Sequence, residues 1–351
     1  MYTLTTTDEH HFGSDVYVLD LVRTAAGGLA SISSDQKLSL LEPRSLSNGP
    51  VSSFQTDHGN LTTLRLFGDN VVCTAGENGN VGVWDLRAGA QVVQFATSEA
   101  PLASMACSPE TQTIAVGTEL HNHEASILLW YERLVPFPLV VNVHVLTQSY
   151  LRDVRSAPVQ KAAYHDLHSD DITTLTYHPS NPNVLLSGST DGLVSVHDTS
   201  IADEDELTVQ TLNLNASIHR AGFLGPSLVY ALSHDERFAI YDISEAQGSG
   251  DAIRDFGDLR RDTESQYVAD IVPKNDGSGA IVGAGAQDKQ TFKLMFLTND
   301  QGSWEVNSGN SVGLPGAHGE EIVRAYCFFD ESQMVFTGGE DGKVKAWRPG
   351  N

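Results

Sequence analysis

The sequence is poor in basic residues. Its 351 residues include 21 lysines and arginines against 45 aspartates and glutamates, which gives a formal net charge of −24. The basic residues do not cluster, so direct binding to nucleic acid is not expected. A strong negative field would also repel anionic membranes and attract basic proteins. Solubility alone explains such an excess of acids equally well, and composition does not decide between the two explanations.

Cysteines and long apolar runs are also scarce. Cys73, Cys107 and Cys327 lie singly in apolar, strand-like segments, which argues against a disulfide framework and favours a reducing compartment. The first residues lack the basic and apolar regions of a secretory signal. The longest apolar stretch, 134–146, is too short to span a bilayer and contains two prolines. We therefore expect a nuclear protein, a cytoplasmic protein, or one present in both compartments.

One hairpin pattern occurs three times, as VVCTAGENGNVGVWDLR (71–87), VLLSGSTDGLVSVHDTS (184–200) and MVFTGGEDGKVKAWRPG (334–350). In each copy a hydroxyl residue lies four positions before a turn residue, and a ring side chain lies six positions after that turn residue. A spacing kept three times indicates a structural repeat. Short alternating runs between clusters of Gly, Asn, Asp, Ser and Pro predict β-strands along the rest of the chain.

Hairpin turns of this kind can be assigned seven times. They lie near Asp35, Asn78, His123, Asp191, Asp235, Asp288 and Asp341. Most intervals are close to the ~40–45 residues of a four-stranded propeller blade. We predict an all-β, seven-bladed propeller that forms a single domain over 1–351, because each blade packs only on its neighbours. The last unit offers three strands, so the N-terminal YTLTTT is expected to complete the last blade and close the ring.

The interval between His123 and Asp191, 68 residues, is too long for one blade. Removal of residues 131–152 would join Trp130 to Asp153 and give SILLWDVRSAP, which matches VGVWDLRAG of the second unit. The segment is therefore an insertion within the third blade or the translation of a retained intron. We favour the second interpretation because the length of the segment is a whole number of codons and its residues do not follow a turn pattern, whereas a real insertion would be an extended, functional loop.

Three units combine a histidine, a hydroxyl residue, a turn residue and a ring residue. The sets are His58, Thr74, Asn78 and Trp84 in the second unit, His168, Ser187, Asp191 and His197 in the fourth, and His318, Thr337, Asp341 and Trp347 in the seventh. We expect each set to form a buried polar relay that holds its own blade together, with the acid orienting a ring N–H and the hydroxyl bridging strands. Similar residue types form hydrolase triads, but a triad needs one site with an exposed nucleophile and an oxyanion hole. Recurrence in three units therefore predicts a structural role and no enzyme activity.

Metal and cofactor sites are not expected. His121 and His123, like the pair His10 and His11, have no acid or cysteine at ligand spacing and are interpreted as solvated turn residues. The run of glycine and alanine at 283–286 follows a strand but opens no helix, so it is not a dinucleotide-binding loop.

A WDxR sequence is the first candidate for partner binding. Trp84, Asp85 and Arg87 have this form, and Asp153 with Arg155 would form a second copy after removal of 131–152. The alternative is that Asp85 and Arg87 only end their strand and pair on the surface of the blade.

Two acidic pairs are the second candidate. Asp170 and Asp171 follow His168, and Glu320 and Glu321 follow His318. Both pairs are predicted in loops between blades, which lie on one face of a propeller, so that face is the expected negative binding surface.

The segments 168–198 (HSDDITTLTYHPSNPNVLLSGSTDGLVSVHD), 233–242 (SHDERFAIYD) and 316–350 (GAHGEEIVRAYCFFDESQMVFTGGEDGKVKAWRPG) resemble, in order, the WD repeat-containing protein 89 family of WD40 propellers. The first unit and residues 131–152 match that family poorly. The resemblance implies a seven-bladed propeller with a role in protein–protein interaction. The WDxR form is similar to that of substrate receptors of cullin-4 ubiquitin ligases, and this similarity extends only to Trp84, Asp85 and Arg87 and, with 131–152 removed, to Asp153 and Arg155.

These observations lead to two functional expectations. The first is a non-catalytic scaffold, a monomer within a larger complex, whose acidic face holds a basic protein such as a histone or a ribosomal protein. The alternative is a substrate receptor of a cullin-4-type ligase that binds its adaptor through Arg87 and Arg155.

Overall fold

The computed structural model describes residues 2–131, 158–244, 250–274 and 276–350. Within these ranges the chain forms five separate four-stranded sheets and one eight-stranded sheet. No helix in the described ranges has the length and apolar character needed to cross a bilayer.

The strands follow one another in groups of four. β1 (Tyr2–His11) precedes the first three blades, which contain β2 (Val18–Arg23), β3 (Leu29–Ser33), β4 (Lys37–Leu41) and β5 (Pro50–Gln55); β6 (Leu61–Gly68), β7 (Val71–Gly76), β8 (Asn80–Asp85) and β9 (Ala90–Ala96); and β10 (Leu102–Ser108), β11 (Thr113–Thr118), β12 (Ile127–Tyr131) and β13 (Val159–Tyr164). A 3₁₀ turn over Leu46–Asn48 lies between β4 and β5.

The remaining four blades have the same order. They contain β14 (Ile172–His178), β15 (Asn181–Ser189), β16 (Leu193–Asp198) and β17 (Thr208–Asn213); β18 (Ile218–Gly225), β19 (Leu228–Ser233), β20 (Arg237–Asp242) and β21 (Ala252–Asp258); β22 (Tyr267–Pro273), β23 (Gly279–Ala286), β24 (Thr291–Asp300) and β25 (Ser303–Pro315); and β26 (Val323–Phe329), β27 (Met334–Gly339) and β28 (Lys343–Pro349). A short helix, α1 (Leu259–Thr263), lies between β21 and β22, and a 3₁₀ turn covers Asp330–Ser332.

The N-terminal strand closes the ring. β1 pairs antiparallel with β28, from Leu4 opposite Pro349 to His11 opposite Lys343, and so supplies the fourth strand of the seventh blade. Its first residues also pair in parallel with β25, which joins the sixth and seventh blades into one sheet. Leu4 is buried in a cluster with Leu314 and Trp347 from those two blades. The predicted all-β, seven-bladed propeller and its N-terminal closure are therefore confirmed.

The predicted hairpin turns lie between the second and third strands of their blades. At Gly79, Gly192 and Gly342 the backbone has φ of 75°, 90° and 72°, a left-handed conformation that glycine adopts without strain. A Cβ on Gly342 would overlap the carbonyl oxygen of Gly13. The Asn-Gly and Asp-Gly pairs read from the sequence thus reflect backbone geometry.

The third blade contains the start of the predicted insertion. β12 continues past Trp130 to Tyr131, which pairs with Thr113 on one side and Val159 on the other. The first residue of the segment 131–152 therefore belongs to a strand. The rest of that segment lies outside the described residues, and so do Asp153 and Arg155.

Antiparallel pairing determines which loops lie together. The turn between the second and third strands of a blade and the connection to the next blade emerge from the same edge of the sheet. We call the surface that they form the loop face, and it consists of 12–17, 34–36, 56–60, 77–79, 97–101, 119–126, 165–171, 190–192, 214–217, 234–236, 259–266, 287–290, 316–322 and 340–342. The first strands of neighbouring blades contact one another around the ring, so they line its central channel.

Candidate functional site

The fourth blade contains a chain of buried hydrogen bonds. His168 Nδ1 lies 2.9 Å from a carboxylate oxygen of Asp191, and His168 Nε2 lies 2.7 Å from Ser187 Oγ. The same hydroxyl lies 2.7 Å from His197 Nε2, and His197 Nδ1 lies 2.9 Å from Thr208 Oγ1. This series of hydrogen bonds connects the loop before the fourth blade with the second, third and fourth strands of that blade.

The seventh blade repeats this arrangement with a tryptophan. His318 Nδ1 lies 2.6 Å from Asp341 and His318 Nε2 lies 2.8 Å from Thr337 Oγ1. The indole of Trp347 donates to the same hydroxyl over 2.9 Å. One hydroxyl thus bridges a histidine from the preceding loop and a ring on the third strand.

The second blade has the same bridging hydroxyl but lacks the carboxylate that contacts the histidine in the other two blades. Thr74 Oγ1 lies 2.9 Å from His58 Nε2 and accepts from the Trp84 indole over 2.8 Å. The sequence pattern groups Asn78 with these residues, but its side chain does not reach the imidazole ring of His58. Its amide nitrogen donates to the carbonyl of Asp57 and its amide oxygen accepts from the Asn80 N–H over 3.1 Å. His58 Nδ1 has no hydrogen-bond partner among the described residues, because a neutral amide satisfied by nearby backbone groups replaces the carboxylate.

Burial and hydrogen bonding shift the pKa values of the titratable groups in these sets. Burial alone would raise the pKa of Asp191, but hydrogen bonds from His168 and from backbone N–H groups lower it below its usual value. The pKa of Asp341 is lowered in the same way by His318, against the opposing effect of burial. Burial lowers the pKa of His197 to about 3, with a smaller contribution from His168. The carboxylates are therefore ionised at neutral pH, while His197 is uncharged.

The hydroxyls of these sets are inaccessible. Thr74, Ser187 and Thr337 are each 0 % exposed. A hydroxyl that a substrate cannot reach is unable to act as a nucleophile. The geometry therefore suits a role in holding the blades together.

The WDxR residues of the second blade separate into two groups. Asp85 is buried, and its carboxylate accepts from the N–H groups of Arg87 and Ala88 over 2.9 and 3.0 Å. Asp198 and Asp242 accept in the same way from Ser200 and Ser244 at the ends of the corresponding strands. Asp85 therefore occupies a turn-capping position that recurs in other blades. The side chain of Arg87 is exposed and forms no ion pair within the described residues.

The predicted acidic pairs lie on the loop face. Asp171 is half-buried and accepts from the Leu120 N–H over 2.7 Å, which links the third and fourth blades. Asp170 accepts from the Asp171 N–H, while Glu320 and Glu321 are exposed. Asp171 thus has a local structural contact, and the glutamates extend into solvent.

Acidic residues dominate the loop face as a whole. They are Asp15, Asp35, Asp57, Glu77, Glu99, Glu119, Glu124, Asp166, Asp170, Asp171, Asp191, Asp235, Glu236, Asp262, Glu264, Asp288, Glu320, Glu321, Glu340 and Asp341. The arginines and lysines in the same loops are Arg260, Arg261 and Lys289. Partial burial and the negative charges of Asp171 and Glu77 raise the pKa of Glu119, as expected where carboxylates repel one another.

A recess opens where the channel meets the loop face. It has a volume of about 240 Å³ and lies between the first, fifth, sixth and seventh blades. Charged and aromatic side chains line it, among them His219, Arg220, Glu236, Tyr267, Arg324 and Glu340. No residue pattern in the sequence predicts this recess. Its one local signal is Glu236, which has φ of 64° in the turn position that glycine occupies in three other blades.

Known proteins similar to this chain share its repeats. The model of the WD domain, G-beta repeat, matches residues 161–198 and 309–348. An uncharacterised WD repeat-containing protein of Schizosaccharomyces pombe is 31% identical over 80% of this chain and 80% of its own length. A second uncharacterised WD repeat-containing protein, from Saccharomyces cerevisiae, is 28% identical over 97% of this chain and 80% of its own.

Two further similarities are more distant or partial. WD repeat-containing protein 89 homolog of Dictyostelium discoideum is 29% identical over 51% of this chain and 49% of its own. Among solved structures, a chain of the mitotic checkpoint complex has a TM-score of 0.71 at 14% identity, covering 99% of this chain and 93% of that one. At that identity the structural likeness concerns the fold alone.

Proposed function

Because the chain belongs to the WD40-repeat protein family, we propose that it is a non-catalytic scaffold whose loop face binds a basic protein. Histones and ribosomal proteins are examples of such basic partners. The observation that carries the proposal is the imbalance of charge on the loop face, where every blade contributes acids and the only arginines and lysines are Arg260, Arg261 and Lys289.

Among the described residues, three of the loop-face acids form an ion pair with a lysine or arginine at a strand: Asp35 with Lys37, Glu264 with Lys293 and Glu340 with Arg324. Arg260 is engaged with Asp258 at 2.8 Å, so its charge is already compensated. A surface whose charges share one sign raises the rate of encounter with a partner of opposite charge. Added salt weakens this attraction.

The opposite face of the propeller also carries acids. They lie in turns between first and second strands, such as Asp69 and Glu110, and in the connection from β16 to β17, which contains the run 203–206. Substitution of equal numbers of acids on the two faces therefore separates a specific surface from the overall charge of the chain. A lysine-rich peptide that binds both variants equally would contradict the proposal.

Adaptor binding through the second blade is the alternative. The exposed guanidinium of Arg87, next to the turn that the Asp85 carboxylate caps, is available for a partner carboxylate. In this case Arg87→Ala abolishes co-purification of a cullin-4 adaptor from cells while leaving thermal stability unchanged. Unchanged co-purification with Arg87→Ala would contradict it.

A further inference from the structure

Glu236 is the least compensated charge in the recess at the channel mouth. The residue is 9 % exposed, and its Oε2 atom has no hydrogen-bond partner among the described residues. Burying a carboxylate without a full set of partners is costly. The carboxylate loses its water when the propeller folds. A ligand that supplies a positive charge can therefore form an ion pair with it without a further desolvation penalty for the carboxylate.

The neighbouring charges are already paired. Arg324 Nη2 lies 2.6 Å from Glu340 Oε1, and Arg220 Nε lies 3.9 Å from Asp270 Oδ1. Burial lowers the pKa of His219 to about 3, assisted by the nearby charges of Arg220, His234 and Arg324, so this ring is uncharged at neutral pH. Among the described residues, Glu236 is therefore the carboxylate of the recess lining that has no ion-pair partner.

Given the proposed basic partner, we infer that the recess binds the side chain of one of its lysine or arginine residues, with Glu236 as the counter-charge. This inference rests on the proposed function and specifies one contact of the partner. The volume of about 240 Å³ accommodates a single long side chain. Tyr267 and the apolar Leu19 and Val323 line the recess and suit the methylene groups of such a side chain. The surrounding loop acids then bind the remaining positive charges of the segment.

The test compares two substitutions that remove the same charge. Glu236→Gln keeps the shape of the buried side chain, and Asp235→Asn removes an acid next to it that is exposed and does not line the recess. Fluorescence anisotropy with a labelled lysine-rich peptide measures both affinities. We expect Glu236→Gln to raise the Kd about tenfold or more and Asp235→Asn to change it by less than about threefold. Equal small effects would overturn the inference.

A pH series provides a measurement on the unaltered protein. Burial raises the pKa of Glu236 to about 7; a backbone N–H and Arg260 oppose this effect, while Asp258 and Asp235 add to it. The lysine-rich peptide should therefore bind more tightly at pH 8 than at pH 6, and this dependence should disappear in Glu236→Gln. Because His234 also lines the recess beside Arg324 and Glu340, the series is repeated with His234→Gln, where the dependence should persist. A flat profile in the unaltered protein would contradict the inference.

The outcomes for the recess and for the loop face can be told apart. If the peptide binds and exposed loop acids matter while Glu236→Gln does not, the recess is empty in the complex and the scaffold proposal stands. If the peptide does not bind the unaltered protein, the proposed function itself fails. Binding of inorganic pyrophosphate in competition with the peptide would show that Arg220 and Arg324 make the recess an anion site, which also overturns the inference.

Discussion

The Oγ atom of Ser187 lies 2.7 Å from Nε2 of His197, in the position where the second and seventh blades place a tryptophan indole against a threonine hydroxyl. An imidazole replaces an indole, so a group that can be protonated stands inside the fourth blade. His197 is 1 % exposed, which makes its protonation incompatible with tight packing.

The imidazole of His197 in place of an indole predicts that the protein is less stable in acid. The pKa of His197 is about 3 in the folded protein against 6.5 as the ordinary value, so between these pH values the unfolded chain binds more protons. The free energy of unfolding therefore rises with pH through this window. Equivalently, the protein becomes less stable as the pH falls from 6.5 towards 3. We expect His197→Trp to remove about 2 kcal/mol of that loss between pH 7 and pH 5. Urea unfolding at both pH values measures the difference, and parallel losses in the two proteins would contradict it.

The bridging hydroxyl of the seventh blade predicts a large stability effect. Thr337→Val keeps the shape of the side chain but leaves His318 and Trp347 without their shared partner in a buried site. We expect a loss of about 3 kcal/mol in the free energy of unfolding, because buried groups without partners cost about 1–3 kcal/mol each. Thr337→Ser retains the hydroxyl and should lose much less, as measured by chemical denaturation. Equal losses would assign the effect to packing instead.

Closure of the ring depends on the packing of Leu4. Leu4 on β1 packs between the sixth and seventh blades, and it is 5 % exposed. Leu4→Ala should cost about 2–4 kcal/mol, as for other buried leucines. Tyr2→Ala removes a side chain that is 54% exposed on the same strand and serves as the control. A small effect of Leu4→Ala on the thermal unfolding temperature would show that β1 does not hold the ring closed.

The WDxR residues should respond differently to substitution. Asp85→Ala removes a cap that accepts two backbone N–H groups and should lower the free energy of unfolding by about 1–2 kcal/mol. Arg87→Ala should leave it within about 0.5 kcal/mol, since the guanidinium is exposed and unpaired within the described residues. Chemical denaturation of both variants checks this. A large loss in Arg87→Ala would mean that Arg87 has a structural rather than a binding role.

The fold could be predicted from the sequence because each blade is determined by local residues. Glycine at 79, 192 and 342 marks the turn, and the hydroxyl and ring residues around it are fixed by hydrogen bonds within one blade. The loop face followed from the same topology, which placed Glu320 and Asp170 on one surface. The recess could not be predicted, since its lining around Glu236 comes from four blades that meet at the channel. Asn78 was grouped with His58 by spacing, but its amide is satisfied by the nearer Asp57 carbonyl.

The most direct test of the scaffold proposal removes four negative charges from either face. One variant carries Glu99→Gln, Asp166→Asn, Glu320→Gln and Glu321→Gln in exposed loops of the loop face. The matched variant carries Asp69→Asn, Glu110→Gln, Asp300→Asn and Asp330→Asn at exposed turns and a strand end of the opposite face. Isothermal titration with a lysine-rich peptide should show at least about tenfold weaker binding for the first variant, a smaller salt dependence, and little change for the second. Equal weakening of the two variants would show that only overall charge matters and would contradict a binding surface on the loop face.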